Sequence, residues 1–302
     1  EQAAIVRFLD HWNGRLEKAI RSKRRVIALL QEQKQAIIHR AVTRGLDPNA
    51  KLKPSGIPWL GEIPEHWEVR RLGSAIKLIT GYPFKSEGFS QSESSTRLLR
   101  GINVTPNGLR WDSTVGWERT SGDGLDDFAL EVGDIVLGMD RPIIASGTRA
   151  SRVEPKDVPS LLLQRVSRLR PKVELDGNFL LLLLKGKLFA DYMAPIFTGI
   201  SVPHLSPEQI RSFKVMLPPL SEQADIVKYV AHETSTLTTA IARFEREITL
   251  LREYRTRLTA DVVTGKLDVR AAAAQLPEEA EDEPLPDSEL PEEETELEEV
   301  EE

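Results

Sequence analysis

Eight cations stand in stretches whose patterning places them in loops or turns: Lys77, Lys85, Arg97, Arg100, Arg110, Arg141, Arg149 and Arg152. Ser94, Ser95, Asn103, Asn107 and Thr148 are interleaved with them, and His204 sits between Pro203 and Leu205 in a later loop. Guanidinium and ammonium groups neutralise phosphates, while Arg, Asn, Ser and Thr carry the directional donors and acceptors that tell base edges apart. For any single arginine a solvated surface charge reads equally well, so the chemistry belongs to the set. His204 reads either as a phosphate-positioning group or as a turn cap. Tyr82 and Phe84 could stack on bases, although packing beside the Gly81 turn is the expected role.

Catalytic signatures are missing. There is no Gly-x-x-x-x-Gly-Lys-Ser/Thr loop for a nucleotide and no dinucleotide-type glycine fingerprint. Asp134 precedes a strand with no partner carboxylate or lysine at nuclease-like spacing, and Pro218-Pro219 lacks the flanking residues of an Asn/Asp-Pro-Pro-aromatic methylation motif. His11 and His232 recur at equivalent helix positions, which points to a structural or subunit-docking role, and no neighbouring ligand set has zinc-site spacing. No residue is expected to catalyse a reaction or to hold a metal.

The absence of cysteine excludes disulfides and thiolate metal sites, as suits a reducing cytoplasm, and no eighteen-residue apolar run is present to cross a membrane. Fifteen acidic residues and no Lys or Arg lie between Leu276 and Glu302, so a net charge of −7 conceals a body carrying +8. That tail, rich in Glu and Pro, is expected to be disordered.

The elements that must position these groups begin with a repeat. Glu1-Gln2-Ala3, Ile5-Val6, His11, Leu16, Ala19-Ile20, Ile27, Leu29-Leu30 and Glu32 return 221 residues later, as do Val42-Thr43 and Leu46-Asp47. A constant offset that includes the exit sequence identifies two copies of one supersecondary unit. Apolar spacing near 3.5 predicts a long amphipathic helix in each, over residues 1–44 and 221–264. Forty residues make a rod of roughly 60 Å, which needs a partner along its seam, and the other copy has the matching length. The spacing assigns Leu9, Leu16, Leu30, Ile37, Val230, Leu237, Phe244, Leu251 and Leu258 to the helix-pair or subunit interface. Lys23, Gln33, Glu233 and Glu247 interrupt the seam and favour an irregular, antiparallel pair.

Between the copies, residues 45–66 form a proline-rich connector with Trp59 to bury, and residues 67–220 read as a mixed α/β domain. Strands are expected at 96–99, 102–104, 161–169 and 213–216, with a turn into a buried strand over 132–138. Helix is expected over 178–193 and, behind a Ser-Pro start, over 205–210, with Ser221 capping the second long helix. Residues 265–275 close the folded part.

The succession Gly-Ile-Pro-Trp-Leu-Gly-Glu-Ile-Pro-Glu-His-Trp (56–67), Gly81 to Lys85, Gly133-Asp134-Ile135-Val136, the 200–205 loop and Leu217-Pro218-Pro219-Leu220-Ser221-Glu222-Gln223 resembles the specificity subunit of type I restriction-modification systems, over residues 1–270. The resemblance implies an α/β target-recognition domain flanked by two long antiparallel, coiled-coil-like spacer helices. It further implies a non-catalytic subunit that reads one half of a bipartite site in double-stranded DNA. Methyltransferase and restriction/translocase subunits would dock on it, carrying the S-adenosylmethionine, ATP and Mg2+ that this chain does not bind directly.

Only one such domain is present, and the chain starts inside the repeated motif without the Leu217–Ser221 lead-in. Those facts fit the later part of a longer chain, a trimmed product, or a half-size subunit that pairs with a second copy of itself. A helical scaffold carrying a globular binding domain without DNA specificity is the competing reading.

Overall fold

The computed structural model describes residues 1–57, 60–144, 146–197 and 203–277. Trp59, part of the 200–205 loop and most of the acidic tail, each given a role above, lie outside the described residues.

The chain opens with helix α1 (Gln2–Arg44), which Gly45 ends at φ +71 by donating to Ala41 O, the left-handed stop that glycine makes without strain. Strands β1 (Leu52–Pro54), β2 (Glu62–Pro64) and β3 (Glu68–Arg71) lead through a short helical turn, α2 (Leu72–Ala75), into β4 (Ile76–Thr80). β5 (Thr96–Leu99), β6 (Val104–Thr105), β7 (Gly108–Leu109), β8 (Gly116–Trp117) and β9 (Ile135–Gly138) follow. Then come β10 (Ile143–Ile144), β11 (Gly147–Thr148), β12 (Ala150–Arg152), β13 (Ser160–Leu162) and β14 (Val166–Pro171). Helices α3 (Gly177–Lys185), α4 (Lys187–Phe197) and α5 (Pro207–Ser212), strand β15 (Lys214–Leu217), and helices α6 (Leu220–Val263) and α7 (Arg270–Ala274) complete the described chain.

Two compact units result, residues 35–232 and residues 1–34 together with the chain from 233 onward. In the first, an antiparallel sheet runs β12-β9-β14-β4, and a second sheet runs β13-β5-β8. β9 reads Ile-Val-Leu-Gly without alternation because both its faces are covered. Ile135, Leu137 and Leu169 pack with Phe179, Leu180, Leu183 and Phe189, in the same core as Ile38, Ala41, Val42, Ile226 and Val230 of the long helices. Val136 and Val166 enter a separate cluster with Leu99 and Leu162.

In the other unit α1 and α6 run antiparallel. Phe8 clusters with Leu258 and Val262; Glu17 bonds Arg255 at 3.1 Å, Lys23 bonds Glu247 at 2.5 Å, and Lys34 bonds Thr238 at 3.0 Å. Moving Glu17 forward and Arg255 back by 221 residues gives Thr238 and Lys34, so these two contacts are images of each other. The repeat therefore packs against itself about an approximate two-fold axis.

Several expectations need correcting. The buried positions of α6 include Thr234, Ile241, Ile248 and Val262, which the expected seam of Leu237, Phe244, Leu251 and Leu258 leaves out; of that seam, Leu258 is also buried. Val230 is buried in the globular core, in one cluster with Ile38, Ala41 and Val42 of α1. Residues 161–169 are two strands broken by a turn, and 178–193 are two helices. They part at Gly186, where a Cβ would lie 2.9 Å from Leu182 O. Residues 101–103 form a 3₁₀ turn because Asn103 bonds the Arg100 amide and the Arg110 carbonyl in place of a strand ladder. Ser221 lies inside α6: the Gln223 amide already bonds Pro219 O, putting the helix start before the serine.

Candidate nucleic-acid interface

The motif residues next to α6 turn out to be a joint. Glu222 Oε1 accepts from Trp67 Nε1 at 3.1 Å, and its Oε2 lies 2.7 Å from His66 Nε2. Gln223, fully buried, donates to Glu174 O and Pro218 O at 2.9 Å each and accepts from the Asp176 amide at 2.8 Å. Every polar atom of that amide is used, as a buried polar group requires. The Gly133-Asp134 pair is likewise structural. Asp134 is buried against Arg170, which reaches it through Nε at 2.6 Å and Nη2 at 2.9 Å, and it also accepts from the Glu131 amide. The hydrogen bonds to Asp134 hold the Arg170 guanidinium above its ordinary pKa.

Among the cations singled out from sequence, several are tied to the backbone. Arg149 donates Nε to Val104 O, Nη1 to Asp140 O and Nη2 to Gly101 O, clamping three segments. Three of its five donors are thereby committed to backbone carbonyls, and the side chain is half-buried. Asn103 and Thr148 are buried. Arg100 donates to Ser113 O; Arg97 donates to Lys156 O at 2.8 Å and stacks over Trp111 at 4.4 Å. Arg152 is half-buried with Nη1 3.8 Å from Glu154. Lys77, Lys85 and Arg110 are exposed, Arg110 being paired with Asp112 at 2.8 Å. Phe84 is buried against Trp117 with ring centroids 4.9 Å apart, while Tyr82 stays half open over Phe84 and Phe128.

One rim gathers exposed cations. At its centre Asp140 accepts from Arg165 Nη1 at 3.0 Å and lies 2.5 Å from His204 Nδ1. The backbone is laced beneath: the Met139 amide bonds Arg165 O, the Leu205 amide bonds Met139 O, and the Arg141 amide bonds Pro203 O. Arg141 (φ +41) and Arg165 (φ +64) are the non-glycine residues with positive φ among the described residues. A left-handed L-residue costs about 1 to 2 kcal/mol, and such strain concentrates at working sites. The rim continues to Gln164, whose amide bonds Tyr82 O at 3.0 Å. Gly81 allows that crossing, since a Cβ there would fall 2.0 Å from Leu163 O.

Sequence reasoning included Arg141 and His204 but missed Asp140, Gln164 and Arg165. The missing signal was local: Leu163-Gln164-Arg165-Val166 lies within an apolar run that reads as one strand, and only the Val166 amide bonding Leu163 O reveals a turn.

On the helix pair, Leu16 and Leu258 are buried, and Leu9, Leu30, Ile37, Leu237, Phe244 and Leu251 are half-buried. Ile37 belongs to the globular unit. Lys23 sits 5.3 Å from the Phe244 ring centre as well as on Glu247. The neighbouring repeat positions Leu29 and Leu250 are 58% and 54% exposed. His11 packs edge-on against Trp12, and His232 is exposed. Among the described residues no helix is long and apolar enough to cross a membrane.

Comparison with known proteins places these features. A model of the type I restriction modification DNA specificity domain matches residues 64–246. The EcoAI specificity subunit of Escherichia coli is 35% identical over 167 residues, 55% of this chain and 28% of the relative. The MjaVIII specificity subunit of Methanocaldococcus jannaschii is 27% identical over 271 residues, 89% of this chain and 61% of the relative. The chain thus spans about three fifths or less of the length of these relatives. In fold it is similar to a chain solved in work on the complex assembly and conformational transition of the type I R-M system (TM-score 0.59, 15% identity, 87% of this chain and 59% of the other). It is also similar to the HsdS subunit of Thermoanaerobacter tengcongensis (TM-score 0.50, 16% identity, 88% and 59%).

Proposed function

Because the chain belongs to the type I restriction-modification DNA specificity family, we propose that it reads one half of a bipartite site in double-stranded DNA and presents that site to catalytic partners. The observation that carries this reading is the position of the family match, which covers most of the globular unit with its cationic rim and runs on into α6. Phosphate contacts from such a rim supply affinity, and directed side chains supply sequence choice. The antiparallel pair serves as a coiled-coil-like spacer.

Methyltransferase subunits dock on the helix pair, with restriction/translocase subunits joining them in the cytoplasm. The exposed, repeat-equivalent Leu29 and Leu250 favour a helical partner that covers apolar side chains. S-adenosylmethionine, ATP and Mg2+ belong to those partners, and this chain supplies the address. Where the chain acts as a half-size subunit, a second copy of itself supplies the other half-site.

The test is co-purification with the methyltransferase subunit followed by footprinting on duplex DNA. A sequence-dependent footprint that weakens steeply with salt is expected. Equal affinity for the site and for shuffled duplexes would leave the competing reading, a scaffold without DNA specificity.

A further inference from the structure

The turn between β13 and β14 places Gln164 and Arg165 side by side on the surface, and both are exposed. Arg165 occupies the third position of a four-residue turn closed by the Val166 amide on Leu163 O, with φ +64. That is the position at which turns with positive φ favour glycine. A large cationic side chain is therefore held where the backbone prefers none.

The side chain is also aimed. Asp140 fixes Nη1 at 3.0 Å, and the Asp140 main chain is held in turn by Arg149. Among the described residues the remaining guanidinium donors of Arg165 meet no protein acceptor, and Gln164 keeps its amide oxygen and nitrogen turned to no protein partner. Phosphate neutralisation needs only a cation on a flexible stem. Reading a base edge needs a planar group whose orientation is set before contact.

From the strained turn, the carboxylate buttress and the adjacent amide, we propose that Gln164 and Arg165 are a base-reading pair that enters the major groove of duplex DNA, with Asp140 as their positioning residue. Arg presents parallel donors to guanine O6 and N7, and Gln presents a donor and an acceptor to adenine N6 and N7. The inference rests on the DNA-reading function proposed above and names the residues that carry it.

The experiment is selection of bound sequences from a randomised duplex pool by the complex with its methyltransferase subunits, for wild type, Gln164→Ala, Arg165→Gly, Arg165→Lys and, as an off-site control at an exposed cation outside the candidate set, Lys214→Ala. Arg165→Gly suits the turn, so its Tm should equal or exceed that of wild type. Each substitution at 164 or 165 is expected to erase preference at one base pair, or at two adjacent ones, by about tenfold or more while the rest of the motif survives. Arg165→Lys should keep affinity for shuffled DNA and still lose its letter. Lys214→Ala should change no letter. If Arg165→Lys restores the complete motif, or if the variants bind all sequences uniformly more weakly, the pair contacts phosphate and the proposal is overturned. A wild-type complex that selects no motif removes the DNA-reading function itself, and this pair with it.

Discussion

The two copies of the repeated helix carry the same residues and meet different surroundings. Val42, on the first copy, is completely buried among Trp67, Phe189 and Met193 in the globular core; its equivalent on the second copy, Val263, is 64% exposed. Gln223 is buried with all its polar atoms bonded, whereas Gln2 is exposed. A sequence repeat thus fixes which positions are able to be buried, and the neighbouring chain decides which of them are. Apolar identity alone would assign Val42 and Val263 the same energy, although burial of a valine side chain is worth about 1.5 to 3 kcal/mol.

The most severe test of that contrast is a charge. Val42→Asp should lower the unfolding free energy by about 3 kcal/mol or more, because an ion is placed in an apolar core, while Val263→Asp should stay within about 0.5 kcal/mol of wild type. Urea denaturation of both variants measures the difference, and equal effects would dissolve the comparison. Gln223→Ala comes next. It strands the Asp176 amide and two carbonyls, for an expected loss of about 2 to 3 kcal/mol, against no measurable change for Gln2→Ala.

Leu29→Asp and Leu250→Asp address positions where the copies are alike. Neither should shift stability by more than about 0.5 kcal/mol, and each should weaken association with the methyltransferase subunit about tenfold in a titration by light scattering or calorimetry. The smallest effect is at Glu247, whose repeat equivalent is Val26, so the approximate two-fold is broken there. Hydrogen bonds from Lys23 and then Arg243 hold its carboxyl below the ordinary 4.5. A depressed carboxylate stabilises the fold above its unfolded pKa and loses that contribution as pH falls through the folded value. The Tm gap between wild type and Glu247→Gln should therefore be widest near neutrality and close below pH 4.5.

Much of the fold was legible because its signals are local or strictly periodic. The offset of 221 named both long helices, Gly45 marked the end of the first, and Ser206 with Pro207 marked a short helix that the structure caps with Ser206 accepting from the Gln209 amide. What escaped has two causes. The phase of the α6 seam depends on partners distant in sequence, whereas the break at Gly186, where a Cβ would meet Leu182 O, and the turn closed by the Val166 amide on Leu163 O are local features masked by the apolar runs around them. The candidate DNA site divides in the same way. Charge located Arg141 and His204 on the rim, but charge could not separate them from Arg149, whose three carbonyl partners come from segments up to 48 residues away.

The joint at Gln223 has a consequence for how such a protein diversifies. Its amide grips Glu174 O, Pro218 O and the Asp176 N–H, main-chain atoms that any replacement residue other than proline at 176 would still offer. A fold gripped through its peptide groups can change side chain by side chain around the joint while the grip stays the same.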